Sequence, residues 1–334
     1  RQAQITVILL LVAVGVYLLK LGVPKRDYFV ERSGTPMDIQ HTLSRGEELI
    51  DEHLHVVSDT GLEVEFRVLR PSGSAGGLPL LLVIGGQETG KDAVELVGTP
   101  SDIAYLAIDY PYKGKRHLRS LTQWMGAVPD IQRAFIDTPP ALSLALDWAL
   151  QQPWVDPGRV ELIGVSLGVP FAAVAGAVDK RFSRVWLLHG GVDQASWLSH
   201  AGKDRIEHEG LRTVVARSAL FLTYGNSFNT TQWISEMSPR PLVFVAACND
   251  DYVPRESIEP LLAATTLQHV EIIWTEGLHI GPRRSNEVQQ VLELVYSRGR
   301  GQAVCASLEC DGDSSRREAR SVGRDRWATA AGAP

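Results

Sequence analysis

Six short apolar runs, separated by helix-length stretches, limit this chain more than anything else in it. They lie at 80–84 (LLLVI), 103–108 (IAYLAI), 160–163 (VELI), 185–188 (VWLL), 242–247 (LVFVAA) and 270–274 (VEIIW). Runs this short and this apolar are strands covered on both faces, the condition of a parallel sheet. Helical patterning fills intervals at 140–151, 167–178, 256–265 and 285–296. Strand and helix in alternation predict a doubly wound, mostly parallel α/β sheet with right-handed crossovers. Ahead of it, 53–57 and 62–69 have strand periodicity and form an antiparallel pair turned at Asp59-Thr60-Gly61. Between Gly191 and Pro241 lie about fifty residues with apolar segments of their own, such as Leu220-Phe221-Leu222. A structureless loop that long is uncommon. Residues 192–240 therefore read as a small helical cap over the C-terminal edge of the sheet.

The body so defined spans 27–297, with different material on either side. Residues 5–19 (ITVILLLVAVGVYLL) carry no charge, and Lys20, Lys25 and Arg26 follow. As a helix, fifteen residues reach roughly 22 Å, short of a hydrocarbon core of about 30 Å; counting on to Val23 nearly closes the gap. Segment 1–26 is expected to be an N-terminal hydrophobic helix that meets a membrane through residues 5–23, or a signal segment that is cleaved. The positive-inside rule draws Lys20, Lys25 and Arg26 toward the cytoplasm. A short N-terminus before one apolar helix commonly marks an exported domain, and a body facing the periplasm or exterior is the expectation; cleavage would make it secreted. Residues 298–334 mix charge, Gly, Ser and Ala without apolar periodicity and read as a disordered tail.

Composition removes several function classes. With 44% hydrophobic and 22% charged residues the chain can bury a large core. A net charge of −6, from 33 Lys+Arg against 39 Asp+Glu, argues against nucleic acid as a partner. Three cysteines exclude a disulfide-built scaffold. Cys248 ends an apolar run and reads as a buried thiol, whereas Cys305 and Cys310 are close enough to pair in an oxidising compartment. No Cys or His spacing suggests a metal site.

The chemistry centres on Gly164-Val165-Ser166-Leu167-Gly168, which follows the strand VELI and opens an apolar helix. That is the context of a Gly-x-Ser-x-Gly nucleophile elbow, where the turn is too sharp for flanking side chains. Ser166 is the candidate nucleophile, raised at a helix N-terminus that favours negative charge. A serine hydroxyl needs a base. Of nine histidines, His279 lies in the loop after the last strand, where an α/β sheet would present it. The orienting acid belongs after the preceding strand, in Asn249-Asp250-Asp251-Tyr252-Val253-Pro254; Asp250 heads the turn, and Asp251 is the alternative. The order Ser, Asp, His is that of α/β-hydrolases. Oxyanion donors are expected from Leu167 N–H and from the loop Ile84-Gly85-Gly86-Gln87, with Gly86 or Gln87 supplying the second.

Residues 53–297 resemble the α/β-hydrolase superfamily. The segments GVSLGVPFAA, SPRPLVFVAACNDDYVP and EGLH are similar to its dienelactone hydrolase and prolyl-oligopeptidase-like esterase branches. Two departures stand out: many members have His-Gly where this chain has Ile84-Gly85-Gly86, and dienelactone hydrolases proper use cysteine where it has Ser166. The resemblance implies a serine carboxylesterase working through an acyl-enzyme on small-molecule short or medium acyl esters, without metal or organic cofactor. The same triad would also serve an acyltransferase or a peptidase, and a non-catalytic membrane-tethered binding protein is the reading outside enzymes. Tyr110, Tyr112 and His189 follow strands at the same sheet edge and are candidates to line the substrate site; a buried, hydrogen-bonded role is the other reading of His189. The cap aromatics Trp197, Phe221, Tyr224, Phe228 and Trp233 either line a cavity or hold the cap on the body.

Overall fold

A computed structural model describes residues 15–23, 25–73, 76–86, 89–98, 101–114, 120–264 and 267–299. Nine strands form one sheet in the order β1-β2-β3-β5-β4-β6-β7-β8-β9. The strands are β1 (Pro36–Arg45), β2 (Leu49–Ser58), β3 (Glu63–Pro71), β4 (Leu78–Ile84), β5 (Ala104–Ile108), β6 (Val155–Val165), β7 (Arg184–Leu188), β8 (Leu242–Ala247) and β9 (Val270–Thr275). The first three and β5 pair antiparallel; from β5 to β9 every pairing is parallel. All six apolar runs are strands. In β5 and β8 every residue is buried, which is why these sequences do not alternate.

Strand β1 is an element the apolar runs do not announce. It forms the sheet's edge, and beyond Pro36 all its residues are exposed. Met37, Ile39 and Leu43 alternate with polar residues, a period-2 signal, and Ser33-Gly34 turns the chain into it.

Helices cover both faces. On one lie α2 (Arg26–Glu31), α3 (Leu121–Ala149), α4 (Val169–Val178), α7 (Thr230–Glu236) and α8 (Glu259–Leu262); on the other, a 3-10 turn over Gly90–Val97 and α9 (Ser285–Gly299). Helix α3 starts nineteen residues before the 140–151 expectation and carries Pro129, Pro139 and Pro140 inside it. Prolines remove backbone donors and usually end a helix. Here the turn around Pro139 is braced by the Thr138 hydroxyl, which donates to Ala134 O at 2.6 Å. The buried Asp137 beside it accepts from Tyr28 and from Arg32 Nε (3.1 Å), fixing α2 on α3. Burial and Asp137 together push the Tyr28 phenol up to about 12.

The insertion between β7 and β8 holds α5 (Gln194–Ala201), α6 (Glu209–Leu222), a 3-10 turn over Gly225–Phe228, and α7. Its aromatics mostly serve attachment. Phe228 packs its ring 5.0 Å from Phe171, 5.6 Å from Phe29 and 6.2 Å from Phe135. Trp233 donates to Ser227 O at 2.8 Å.

The apolar N-terminal segment is only partly visible: residues 5–14 lie outside the described residues, and 15–22 form a helix, α1. Among the described residues no helix is long and apolar enough to cross a membrane. The described end of the segment packs on the body instead. Leu21 is fully buried, and the Tyr17 hydroxyl accepts from Gln132 Nε2 of α3 at 2.8 Å. Residues 300–334, with Cys305 and Cys310, also lie outside the described residues, while α9 extends to Gly299. Cys248 is half-buried and disulfide-bonded, so the buried-thiol expectation is corrected.

Phe171 joins the cap to the body, since its ring also meets Phe135 (5.3 Å) and Tyr110 (5.7 Å). Phe171→Ala should cost about 3–5 kcal/mol and lower the thermal midpoint by roughly 10 °C. A midpoint moved by less than about 2 °C would show that this cluster does not hold the two parts together.

Candidate active site

Strand β6 ends at Val165, and the chain turns at once into α4. Ser166 sits at the turn with φ 52°, in the left-handed region that non-glycine residues seldom occupy. The turn is possible because its flanks lack side chains. A Cβ on Gly168 would run into Ile84 O of β4, and one on Gly164 would stand 2.9 Å from Gly168 O. The helix start is thus pressed against the sheet, and Ser166 Oγ is lifted off its C-terminal edge.

His279 reaches that hydroxyl from the loop after β9. Its Nε2 lies 2.9 Å from Ser166 Oγ, and its Nδ1 lies 2.9 Å and 3.1 Å from the two oxygens of Asp250. Ser166 and His279 are each only 9% exposed, a desolvated setting in which the hydrogen bonds count for more than in water. Asp250 is held by the turn it heads: its Oδ1 accepts from Tyr252 N (2.9 Å) and Val253 N (2.7 Å). The Tyr252 ring lies 5.2 Å from that of His279, and Trp197 of α5 meets Tyr252 edge-on at 6.2 Å.

Asp251, the alternative acid, is turned elsewhere. Its carboxylate takes two hydrogen bonds from Arg284 (2.9 Å each) and one from His279 N (3.3 Å). Arg284 also donates to His279 O at 2.7 Å. The bidentate guanidinium is the main cause that holds the Asp251 carboxyl well below the usual range. Asp250 therefore faces the imidazole, and Asp251 with Arg284 clips the main chain that carries it. Arg284 is not conspicuous in sequence; only the pair Arg283-Arg284 shortly after His279 hints at it.

On the opposite side of the serine, Gly86 comes close enough that a Cβ on it would stand 3.8 Å from Ser166 Cβ. Leu167 N–H follows the nucleophile directly. Gln87 lies outside the described residues. Tyr110, a candidate lining residue, supports this loop from behind: its hydroxyl donates to Gly85 O at 2.7 Å, and its ring packs on Phe171. Burial raises its pKa, so the phenol stays protonated and donating. Tyr112 folds over Gly114. Lys113 of the neighbouring basic cluster pairs with Glu63 at 2.7 Å, while Lys115 and Arg116 lie outside the described residues.

Of the two readings of His189, the structure has the buried, hydrogen-bonded one. It is 2% exposed, with φ 50°. Its Nδ1 accepts from Ile280 N at 3.0 Å and its Nε2 faces Thr275 Oγ1 at 3.2 Å, so it braces both ends of the loop bearing His279. One ligand atom each from His189, Asp250 and His279 falls within 4.8 Å of the others. The ring nitrogens involved already have protein partners, and a metal would have to break these bonds to enter.

No protein-family model and no curated relative matches the chain. Solved structures do. An acetyl xylan esterase from Paenibacillus sp. R4 superposes with a TM-score of 0.56 at 15% identity, covering 81% of this chain and 92% of that one. Acetyl xylan esterase 1 from Thermoanaerobacterium sp. JW/SL YS485 gives 0.55 at 14%, covering 81% and 94%. A 2,6-dihydroxy-pseudo-oxynicotine hydrolase gives 0.55 at 18%, covering 77% and 71%. At such identities the likeness is one of fold: the chain has the α/β-hydrolase fold.

His189 carries a pH signature. Burial, with the nearby His279, pulls its pKa down to about 4, against the opposing pull of Asp250 and Glu287. An unfolded histidine titrates near 6.5. Between those values the unfolded chain binds a proton that the folded chain refuses, so stability falls as pH falls through this window. From pH 7 to 4.5 the loss should be about 2–3 kcal/mol. Urea unfolding of the parent and of His189→Gln at several pH values measures it. The same slope in both would show that His189 does not titrate on unfolding.

Proposed function

We propose that this chain is a serine carboxylic ester hydrolase that works through an acyl-enzyme on short or medium acyl esters. The observation that carries the reading is the relay Ser166 Oγ–His279 Nε2–Asp250, with both links at 2.9 Å, mounted on a left-handed elbow. The names of the structural neighbours, acetyl xylan esterases and a methylesterase among them, support an ester as substrate.

In this mechanism His279 takes the Ser166 proton as Oγ attacks the acyl carbon. Asp250 holds the imidazole with Nε2 toward the serine and stabilises the imidazolium. The developing oxyanion is received by the N–H groups of Leu167 and Gly86, worth several kcal/mol in the transition state. His279 then protonates the leaving alcohol, and water repeats the sequence on the acyl-enzyme. His189 and the Asp251–Arg284 pair act through His279 as positioning residues. The exposed Tyr252 ring lies beside His279, the group that protonates the leaving alcohol.

Turnover of p-nitrophenyl acetate and butyrate tests the reading. Ser166→Ala should lose at least about 10³-fold in kcat. Undiminished turnover by that variant would end the serine mechanism, and absence of turnover by the parent on either ester would end the substrate class.

A further inference from the structure

Helix α6 is built the wrong way round for water. It packs against α5 and the Gly225–Phe228 turn, and on that side Ala216 is buried and Leu220 half-buried. Leu211, Val214, Val215, Ser218 and Leu222 fall on the opposite side, within an arc of about 100° at 100° per residue. All five are exposed, Val214 by 61% and Leu211 by 53%. A surface helix ordinarily keeps that side polar.

The stripe does not end in open solvent. Leu222 O accepts from Gln132 Nε2, the same amide that holds the Tyr17 hydroxyl of α1. One buried side chain thus joins the C-terminal end of the stripe, α3 and the N-terminal helix. Met125 lies seven residues before Gln132, on the same side of α3, and with its neighbour Trp124 is exposed. On α1, Leu18 and Leu19 are exposed as well, Leu19 by 74%. Apolar surface of this extent marks a partner or a lipid surface.

The chain itself indicates which. The uncharged run 5–19 ends inside α1, whose Tyr17 shares the Gln132 amide with Leu222 O at the end of the stripe. The residues of the run that precede α1, 5–14, are too few to span a bilayer of about 30 Å even as a helix rising about 1.5 Å per residue, but enough to enter one that the body already touches. Lys20 and Lys25 follow that run; Lys20 is exposed, and Lys25 Nζ donates to Lys20 O at 3.0 Å. Cationic side chains flanking an apolar run favour lipid headgroups.

We propose that the outer face of α6, with Trp124 and Met125, docks on a lipid bilayer beside the inserted N-terminal segment, and that the site receives its esters from that surface. The second half rests on the hydrolase reading above; the docking does not. The same insertion carries Trp197, which touches Tyr252 next to His279, so the docked face and the site belong to one part of the molecule.

The test uses the full chain and vesicles of phosphatidylcholine with a minor share of phosphatidylglycerol. The variant Leu211→Glu/Val214→Glu/Val215→Glu should bind vesicles at least about tenfold more weakly in co-sedimentation. It should turn over p-nitrophenyl acetate in solution within about twofold of the parent, which also shows that it folds. Its turnover of a long-chain p-nitrophenyl ester dissolved in the vesicles should fall at least about tenfold. Trp124→Ser should weaken vesicle binding in the same direction. Unchanged vesicle binding by the triple variant would overturn the proposal, leaving the N-terminal run as sole attachment. A parent that sediments as a dimer, broken by the triple variant and indifferent to lipid, would overturn it in favour of a second copy. Face-dependent vesicle binding without turnover of either ester would uphold the docking and sink the hydrolase reading instead.

Discussion

One backbone residue sets the geometry on which the rest depends. Ser166 stays in a left-handed conformation because α4 is pressed so closely on β4 that only glycine fits at 164 and 168. Conformations of this kind cost roughly 1–3 kcal/mol and persist only where the surroundings over-determine them. Here the surroundings are the parallel sheet: β6 fixes the residue before the serine, β4 limits how far the helix can withdraw, and the buried α4 cannot rotate to relax the turn. The serine is therefore presented by packing, and the imidazole must come to it.

The imidazole is brought by contacts that differ in kind. Asp250 acts on the ring, the Asp251–Arg284 pair on the main chain at 279, and His189 on the next residue, Ile280. The charged pair lies at the surface, where an isolated ion pair contributes little to stability; its contribution here is to the shape of a loop. His189 lies inside, where it stays neutral and accepts the Ile280 N–H with its unprotonated nitrogen.

Chain order made the convergence of Ser166, Asp250 and His279 legible, because each stands just after an apolar run and strands of a parallel sheet end at one rim. The parallel strands were legible for the same reason: burial on both faces leaves an unbroken run such as LVFVAA. What the sequence hid follows from contacts between distant residues. Position alone placed Tyr110 and His189 at the rim, but not which way their polar atoms pointed. Helical patterning is legible only from 140 onward, and prolines at 129, 139 and 140 are ordinary break signals; the brace from Thr138 to Ala134 becomes visible only in three dimensions. The apolar N-terminal run reads in sequence as a membrane or signal segment, yet Leu21 and Tyr17 show that its described end belongs to the body.

The adjacency of Asp250 and Asp251 has a mechanical meaning. One turn of chain grips the histidine twice, by its ring and by its amide. Acid and base are thereby coupled as a rigid pair, and an excursion of either segment carries the other along. Two bonds from one turn therefore resist separation of acid and base, and the tautomer that presents Nε2 to the hydroxyl is held by ring and main chain together.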